Sequence, residues 1–321
     1  MHASLQVLLG LGALILGAEL LVRGSAQLAT RLGVTPLVIG LTVMAYGTSA
    51  PELAVCLTAA WRESPGLVIG NVIGSNTANL GLVLGVAALI RPLAARASLL
   101  QREIPFMLLA ALLVPLAALG GAYTRLDGVL LLAAAVVFSL FCFASVRQHS
   151  CDTEGPSDHE SSARPIQGAG KSSLSIAVLI LAGVAGLGFG STMLVEGSIS
   201  LAASFGVSDH VIGLTVVAIG TSLPELATCV VGAIRGKVDL VVGNVIGSNI
   251  FNVFLILGGT AAIHPITAPD PILGIDMVLM LALSVAIFPF ILTGSRISRL
   301  EGLICLGAYA AFLLLSISAR A

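Results

Sequence analysis

The chain has 321 residues, 57% of them hydrophobic and only 10% charged, with a mean hydropathy of +1.07 and a formal net charge of −1. That balance excludes an ordinary soluble globular domain and points to a polytopic membrane protein. A net charge this close to zero offers no bulk attraction to nucleic acid.

In chain order, apolar runs near 20 residues fall at about 5–22, 36–60, 67–90, 104–120, 126–146, 174–194, 211–234, 240–263, 272–293 and 300–317. Each can cross a bilayer. Residues 1–6 carry no basic n-region, so the first run reads as a retained helix and not as a cleaved signal. The one long polar stretch, 147–172, reads as a flexible linker. The expected organisation is a first five-helix repeat at 1–146, the linker at 147–172, and a second five-helix repeat at 173–321. The expected fold class is an all-α membrane protein with ten transmembrane helices.

Basic residues orient these spans. With the N-terminus outside, the inside loops hold Arg23, Arg31, Arg91, Arg96, Arg102, Arg147, Arg164, Lys171, Arg235, Lys237, Arg296 and Arg299. Only Arg62, Arg125 and Arg320 fall outside. The asymmetry predicts a cytoplasmic linker and two external termini. Five helices separate equivalent positions, an odd number, so the two repeats are expected to run in opposite directions. Inverted repeats are a common transporter architecture.

The repeats themselves are visible as identity. Gly47-Thr48-Ser49-Ala50-Pro51-Glu52 recurs as Gly220-Thr221-Ser222-Leu223-Pro224-Glu225, 173 positions later. The same offset places Gly70-Asn71-Val72-Ile73-Gly74-Ser75-Asn76 on Gly243-Asn244-Val245-Ile246-Gly247-Ser248-Asn249, and Asn79 on Asn252. Between 33–80 and 206–253, 29 of 48 positions are identical. Both acidic motifs fall near the middle of a span, which puts Glu52 and Glu225 near the bilayer midplane. A carboxylate there is costly and usually functional. Gly- or Pro-interrupted segments at matching places in two repeats point to a binding site, so helices 2, 3, 7 and 8 are expected to be broken.

Pro51 and Pro224 suit the first turn of a new half-helix, where a missing N–H costs nothing. They are expected to free carbonyls around Ala45, Thr48, Ala218 and Thr221, tolerated at that depth only where they line a cavity or are covered by protein. Hydroxyls of Thr48, Ser49, Thr221 and Ser222 add further oxygens. Ser75 with Asn79, and Ser248 with Asn252, are spaced i, i+4 and share a helix face. Such a face either supplies neutral oxygens to a small cation or makes interhelical hydrogen bonds. Asn71, Asn76, Asn244 and Asn249 read as structural. Carboxylates, hydroxyls and carbonyls together are hard-ligand chemistry, suited to Ca²⁺, Na⁺ or Mg²⁺. Two ionised glutamates about 5 Å apart repel by roughly 3 kcal/mol at an effective dielectric near 20, and a divalent ion between them removes that repulsion.

The remaining features are quieter. Cys56 and Cys229 each follow a motif glutamate by one turn and read mainly as close packing. Glu19, Glu196, Asp270 and Asp276 have no acidic place in the repeated motif and read as interfacial or solvated. No nucleotide loop, catalytic triad or transition-metal spacing stands out, so no enzyme activity and no cofactor are expected.

The duplicated motif pair, the ten spans and the cytoplasmic joint resemble the cation/calcium exchanger superfamily, in particular its prokaryotic sodium/calcium exchangers. The resemblance covers essentially the whole chain. It implies a secondary active antiporter in a prokaryotic inner membrane that exchanges Ca²⁺ for Na⁺, with a pocket formed by helices 2, 3, 7 and 8. It implies calcium ligands at Glu52 and Glu225 with the Thr48 and Thr221 carbonyls. It implies sodium ligands at Ala45, Thr48, Ser49, Ser75, Ala218, Thr221, Ser222 and Ser248, and a central layer completed by Asn79 and Asn252. Many members carry an acid where this chain has Asn252. The alternatives are a proton/calcium antiporter and, from another class, a passive cation channel.

Overall fold

The computed structural model describes residues 3–94, 97–149, 172–205, 220–268, 274–294 and 296–318. Most of the linker lies outside the described residues, as do 206–219, which hold Ala218 and the first part of the expected seventh span. Among the described residues, eight helices are long and apolar enough to cross a membrane, and nine when a bent pair counts as one span.

The first helix, α1, is Ala3–Leu32. Then come α2 (Pro36–Thr48) and α3 (Ala50–Trp61), bent by 42° where they meet. α4 is Pro65–Ile90. A short strand β1 (Leu93–Ala94), α5 (Ala97–Gln101), α6 (Glu103–Ala117), β2 (Ala122–Tyr123) and α7 (Arg125–His149) complete the first half. The second half runs α8 (Ser173–Ser204), α9 (Leu223–Ile234), α10 (Val238–Ile263), β3 (Ile266–Thr267), α11 (Ile275–Gly294), β4 (Arg296–Ile297) and α12 (Arg299–Ser318).

Burial sorts these helices into a centre and a periphery. The apolar windows of α4 and α10 are 72% and 94% buried, whereas those of α8 and α12 are each 22% buried. The outer helices expose Leu16, Leu140, Leu181 and Leu314. Large apolar residues facing outward in such number mark a surface made for lipid rather than water.

Contacts between the halves come in repeat-related pairs. On α1 and α8, a Cβ at Gly10 would stand 2.6 Å from the Leu194 backbone N, and one at Gly17 2.6 Å from that of Leu187. From the other side, Gly190 meets Leu14 N and Gly183 meets Leu21 N, again at 2.6 Å. Glycine is required here because the backbones touch. Rising numbers on α1 meet falling numbers on α8, so these two repeat-equivalent helices run antiparallel. At the ends of the bundle, Leu93 and Ala94 pair with Ile297 and Arg296, while Ala122 and Tyr123 pair with Thr267 and Ile266. Each two-stranded sheet takes one strand from each half.

The expected breaks in helices 3 and 8 are corrected. α4 and α10 are continuous, and each carries a π-helical turn instead, at Asn79–Val83 and Asn252–Leu257. A third π turn, Gly40–Met44, lies inside α2. A π turn inserts a residue into the i→i−4 ladder and rotates the side chains around it without ending the helix. Helix 2 is broken as expected; helix 7 is described only from Gly220, and α9 begins beyond its Thr221-Ser222 turn.

Candidate cation site

Local chain geometry brings the two acidic motifs inward. In the first half, α2 ends at Thr48 and α3 starts at Ala50 with Pro51 in its first turn. In the second, α9 starts at Leu223 with Pro224 in its first turn. The restart is bridged alike in both: Leu53 N–H donates to the Ser49 carbonyl at 3.1 Å, and Leu226 N–H to that of Ser222 at 3.0 Å. Glu52 and Glu225 therefore stand in the first turn of a helix, where the backbone dipole favours negative charge. Their exposures are 0% and 1%.

The two carboxyls lie close enough to interact, and that of Glu225 also approaches the Thr48 hydroxyl. None of the four carboxylate oxygens accepts a well-formed hydrogen bond. Buried polar atoms almost always find a partner, so this cluster is exceptional. Ser49 Oγ, Ser222 Oγ, Ser75 Oγ, Asn79 Oδ1 and Asn252 Oδ1 are buried and unpartnered in the same way. They are the expected site residues, on elements that pack together. The arrangement is a concentration of hard oxygen donors around two negative charges. Among the described residues, no three His, Cys, Asp or Glu side chains gather as a metal-binding group. The donor set suits an alkali or alkaline-earth cation and not a transition metal.

Thr48 ties the halves together. Its hydroxyl lies 3.4 Å from the Ala45 carbonyl, Asn244 Oδ1 and Ser248 Oγ alike. The Ala45 carbonyl, expected to be bare, accepts the Ser49 N–H at 3.0 Å. Proline removes only its own N–H, and the residue two before it still closes the preceding turn. Glycine allows this approach of α2 to α10: a Cβ at Gly40 would stand 2.6 Å from the Leu240 carbonyl oxygen. Thr221 is partly exposed, and Ala218 lies outside the described residues.

Two cysteine contacts repeat across the halves. Asn71 Nδ2 donates to Cys56 Sγ at 3.2 Å, and Asn244 Nδ2 to Cys229 Sγ at 3.6 Å. Each ties a glutamate-bearing helix to the next one. Asn76, read as structural, makes a hydrogen bond between helices: Asn252 Nδ2 donates to Asn76 Oδ1 at 3.0 Å. Their separation in sequence hides that pairing, although the duplication of both residues could have flagged it. Glu19, read as interfacial or solvated, is held by Arg23 one turn on and by Arg235 at the end of α9, the latter at 2.8 Å.

A family model for the sodium/calcium exchanger protein matches residues 2–144 and 175–318. The chain belongs to that family. The exchanger is 37% identical, over 97% of each chain, to the putative antiporter CaxA of Alkalimonas amylolytica. It is 35% identical to the sodium/calcium exchanger MaX1 of Methanosarcina acetivorans, over 96% of this chain and 97% of that one. Among solved structures it superimposes on the sodium-calcium exchanger NCX_Mj soaked with Na⁺ and Sr²⁺ with a TM-score of 0.81, at 31% identity, covering 97% of this chain and 98% of that one. The family is one of integral membrane transporters, not enzymes, and this exchanger has the apolar helices that such a protein needs.

Proposed function

We propose that this exchanger is a secondary active antiporter that moves Ca²⁺ against Na⁺ by alternating access. The observation that carries the reading is the Glu52–Glu225 pair: two carboxyls side by side, essentially without exposure, with no well-formed protein hydrogen bond to any oxygen. One divalent ion balances both charges. Ca²⁺ takes 6–8 oxygens at about 2.3–2.6 Å, so two bidentate carboxylates and the Thr48 and Thr221 carbonyls approach a full shell. Na⁺ is assigned to the surrounding oxygens of Ala45, Thr48, Ser49, Ser75, Ala218, Thr221, Ser222 and Ser248, with Asn79 and Asn252 in the central layer.

The architecture we assign is ten spans in two inverted five-helix repeats, 1–146 and 173–321, joined by a cytoplasmic linker at 147–172. The antiparallel contact of repeat-equivalent α1 and α8 and the paired cross-half strands support it. The close glycine-lined contact of α1 with α8, on otherwise lipid-facing helices, makes this pair the expected moving unit. The NCX_Mj structures soaked with Na⁺ and Ca²⁺ or Sr²⁺ support ion substrates of this type.

The test is ⁴⁵Ca²⁺ uptake into proteoliposomes under imposed Na⁺, K⁺ and H⁺ gradients. An outward Na⁺ gradient is expected to accelerate uptake. Uptake driven by a proton gradient alone would replace Na⁺ with H⁺ as the coupling ion. Uptake indifferent to every counter-ion would indicate a channel.

A further inference from the structure

The four buried asparagines of the central layer are bonded differently in the two halves. Asn76 and Asn249 are repeat-equivalent, as are Asn79 and Asn252. All four are at most 2% exposed. In one set, Asn252 Nδ2 donates to Asn76 Oδ1 at 3.0 Å, and Asn76 Nδ2 points at Met280 Sδ, 3.9 Å away. The matching set has the same parts in the same order: Asn79, Asn249 and Met107, which stands 173 positions before Met280. There the chain of contacts is open. Asn249 Nδ2 turns back to the Val245 carbonyl of its own helix at 2.8 Å. Asn249 Oδ1 and both amide atoms of Asn79 are buried without a partner. The elements that carry the open set nonetheless pack together, α10 against both the π turn of α4 and α6.

A carboxamide has a donor end and an acceptor end. With its N–H engaged by Asn76, Asn252 has its oxygen left over, buried and unpartnered. That is the end a cation binds. Asn79 has no such orienting partner. One molecule thus holds both settings of a single device, engaged at Asn76 and parked at Asn249. The Thr48 hydroxyl shows the same inequality: it reaches Ser248, whereas Ser75, the repeat equivalent of Ser248, has an unpartnered hydroxyl.

We propose that the Asn76/Asn252 and Asn79/Asn249 pairs form a two-position carboxamide switch, in which Asn76 and Asn249 are positioning residues that alternately aim the Asn252 and Asn79 oxygens at the transported cation. The proposal rests on the inverted-repeat exchanger reading above: when one repeat rocks against the other around a fixed site, two halves built alike and oppositely oriented can trade side-chain settings. In the other access state, Asn249 leaves Val245 and accepts from Asn79, while Asn76 releases Asn252 and parks on the Val72 carbonyl one turn back. Only one amide oxygen is set for the ion in each state, so affinity on each side of the membrane depends on a different positioning residue.

Asn76→Leu and Asn249→Leu keep the branched side-chain shape, with somewhat greater bulk, and remove both the acceptor and the donor. Calcium KM is measured separately in right-side-out and everted vesicles. Asn76→Leu is expected to raise KM at least fivefold at one membrane face and less than twofold at the other, and Asn249→Leu to do the reverse. A purely structural role would move both faces together. Equal shifts at both faces, no shift at either, or both variants acting on the same face would overturn the switch. Asn76→Thr retains an acceptor in a smaller side chain and is expected to fold where leucine is not tolerated, with a shift of about two- to threefold confined to the same face; a two-sided shift in that variant also overturns the switch. Wild-type flux in the same vesicles tests the exchange reading, and sidedness tests the switch whichever ion drives the flux.

Discussion

The Thr48 hydroxyl stands 3.4 Å from the Ser248 hydroxyl, an oxygen contributed by the other half of the chain. Its distances to Asn244 Oδ1 and the Ala45 carbonyl are the same. A committed O–H···O bond is about 2.7–2.8 Å, so this oxygen, which the Glu225 carboxyl also approaches, is shared among these neighbours and committed to none of the three. It is free to turn toward a cation. A site assembled this way belongs to neither half alone, and changes on either side are expected to affect the same ion.

Glu52→Gln and Glu225→Gln are each expected to abolish calcium exchange while leaving the protein folded. Glutamine keeps the shape and removes the charge that a buried divalent ion requires. The readout is ⁴⁵Ca²⁺ flux in proteoliposomes, with gel filtration as the folding control. Near-normal flux in either variant would remove these residues from the site.

The acidic motif, its duplication and its burial are legible in the sequence because they rest on identity and hydropathy, which local chain chemistry preserves. Glu52, Glu225, Ser49, Ser222, Ser75 and Asn79 are named from the motifs alone, and the fold buries all six. What escapes is whatever depends on a single rotation or a single hydrogen bond. A π turn at Asn79–Val83 leaves no trace in composition. The engagement of Asn76 by Asn252 is a choice of side-chain torsion. The clasp of Glu19 by Arg235 joins residues more than half the chain apart. The occupied Ala45 carbonyl is missed because proline breaks the ladder at one rung only.

Acid is expected to inhibit transport by placing protons on the glutamate pair, where they compete with the ion. The inhibition is expected to weaken as calcium rises, because the two cations contend for the same oxygens. Initial rates from pH 8 to 5.5 at two calcium concentrations test this. A rate unchanged by pH at sub-saturating calcium would contradict proton access to the pair.

Substitutions on the α1–α8 contact are expected to divide by geometry. Gly17→Val places new atoms where a Cβ alone would stand 2.6 Å from the Leu187 backbone N, and neither backbone can retreat without separating the helices. Overpacking of this kind costs about 1–3 kcal/mol or more, seen as a lower melting temperature or loss of the monodisperse peak. Gly12→Ala meets nothing within 4 Å among the described residues, and alanine favours helix by about 1 kcal/mol over glycine, so that variant is expected to match or exceed wild-type stability. Equal losses in both would show that the contact does not constrain the pair.

The orientation predicts that a single Ser157→Cys, in a background without other reactive thiols, stays hidden from an impermeant thiol reagent in intact cells and reacts in everted vesicles. The basis is the concentration of arginine and lysine in the loops on the linker's side. Labelling of intact cells would invert the topology.

Potassium is expected to be dispensable. Asn252 and its repeat partner Asn79 are both neutral, so two carboxylates balance one Ca²⁺ and leave no charge for a co-bound monovalent ion. Replacing K⁺ by choline on both sides, with the membrane potential clamped, is expected to leave sodium-driven calcium uptake intact. A strict potassium requirement would separate ion coupling from the charge at Asn252.

The two small sheets have a consequence for biogenesis. Leu93 and Ala94 find their partners in Ile297 and Arg296. At a ribosomal rate of roughly 5–20 residues per second, the roughly 200 residues in between take on the order of ten to forty seconds to emerge. Through that interval the N-terminal half sits in the bilayer with an unmated backbone edge, and Tyr123 likewise waits for Ile266. Newly inserted chains are therefore expected to be most vulnerable to membrane proteases before β4 arrives. A nascent chain truncated before Arg296 should be degraded, even though every residue of its first half is present and correctly spelled.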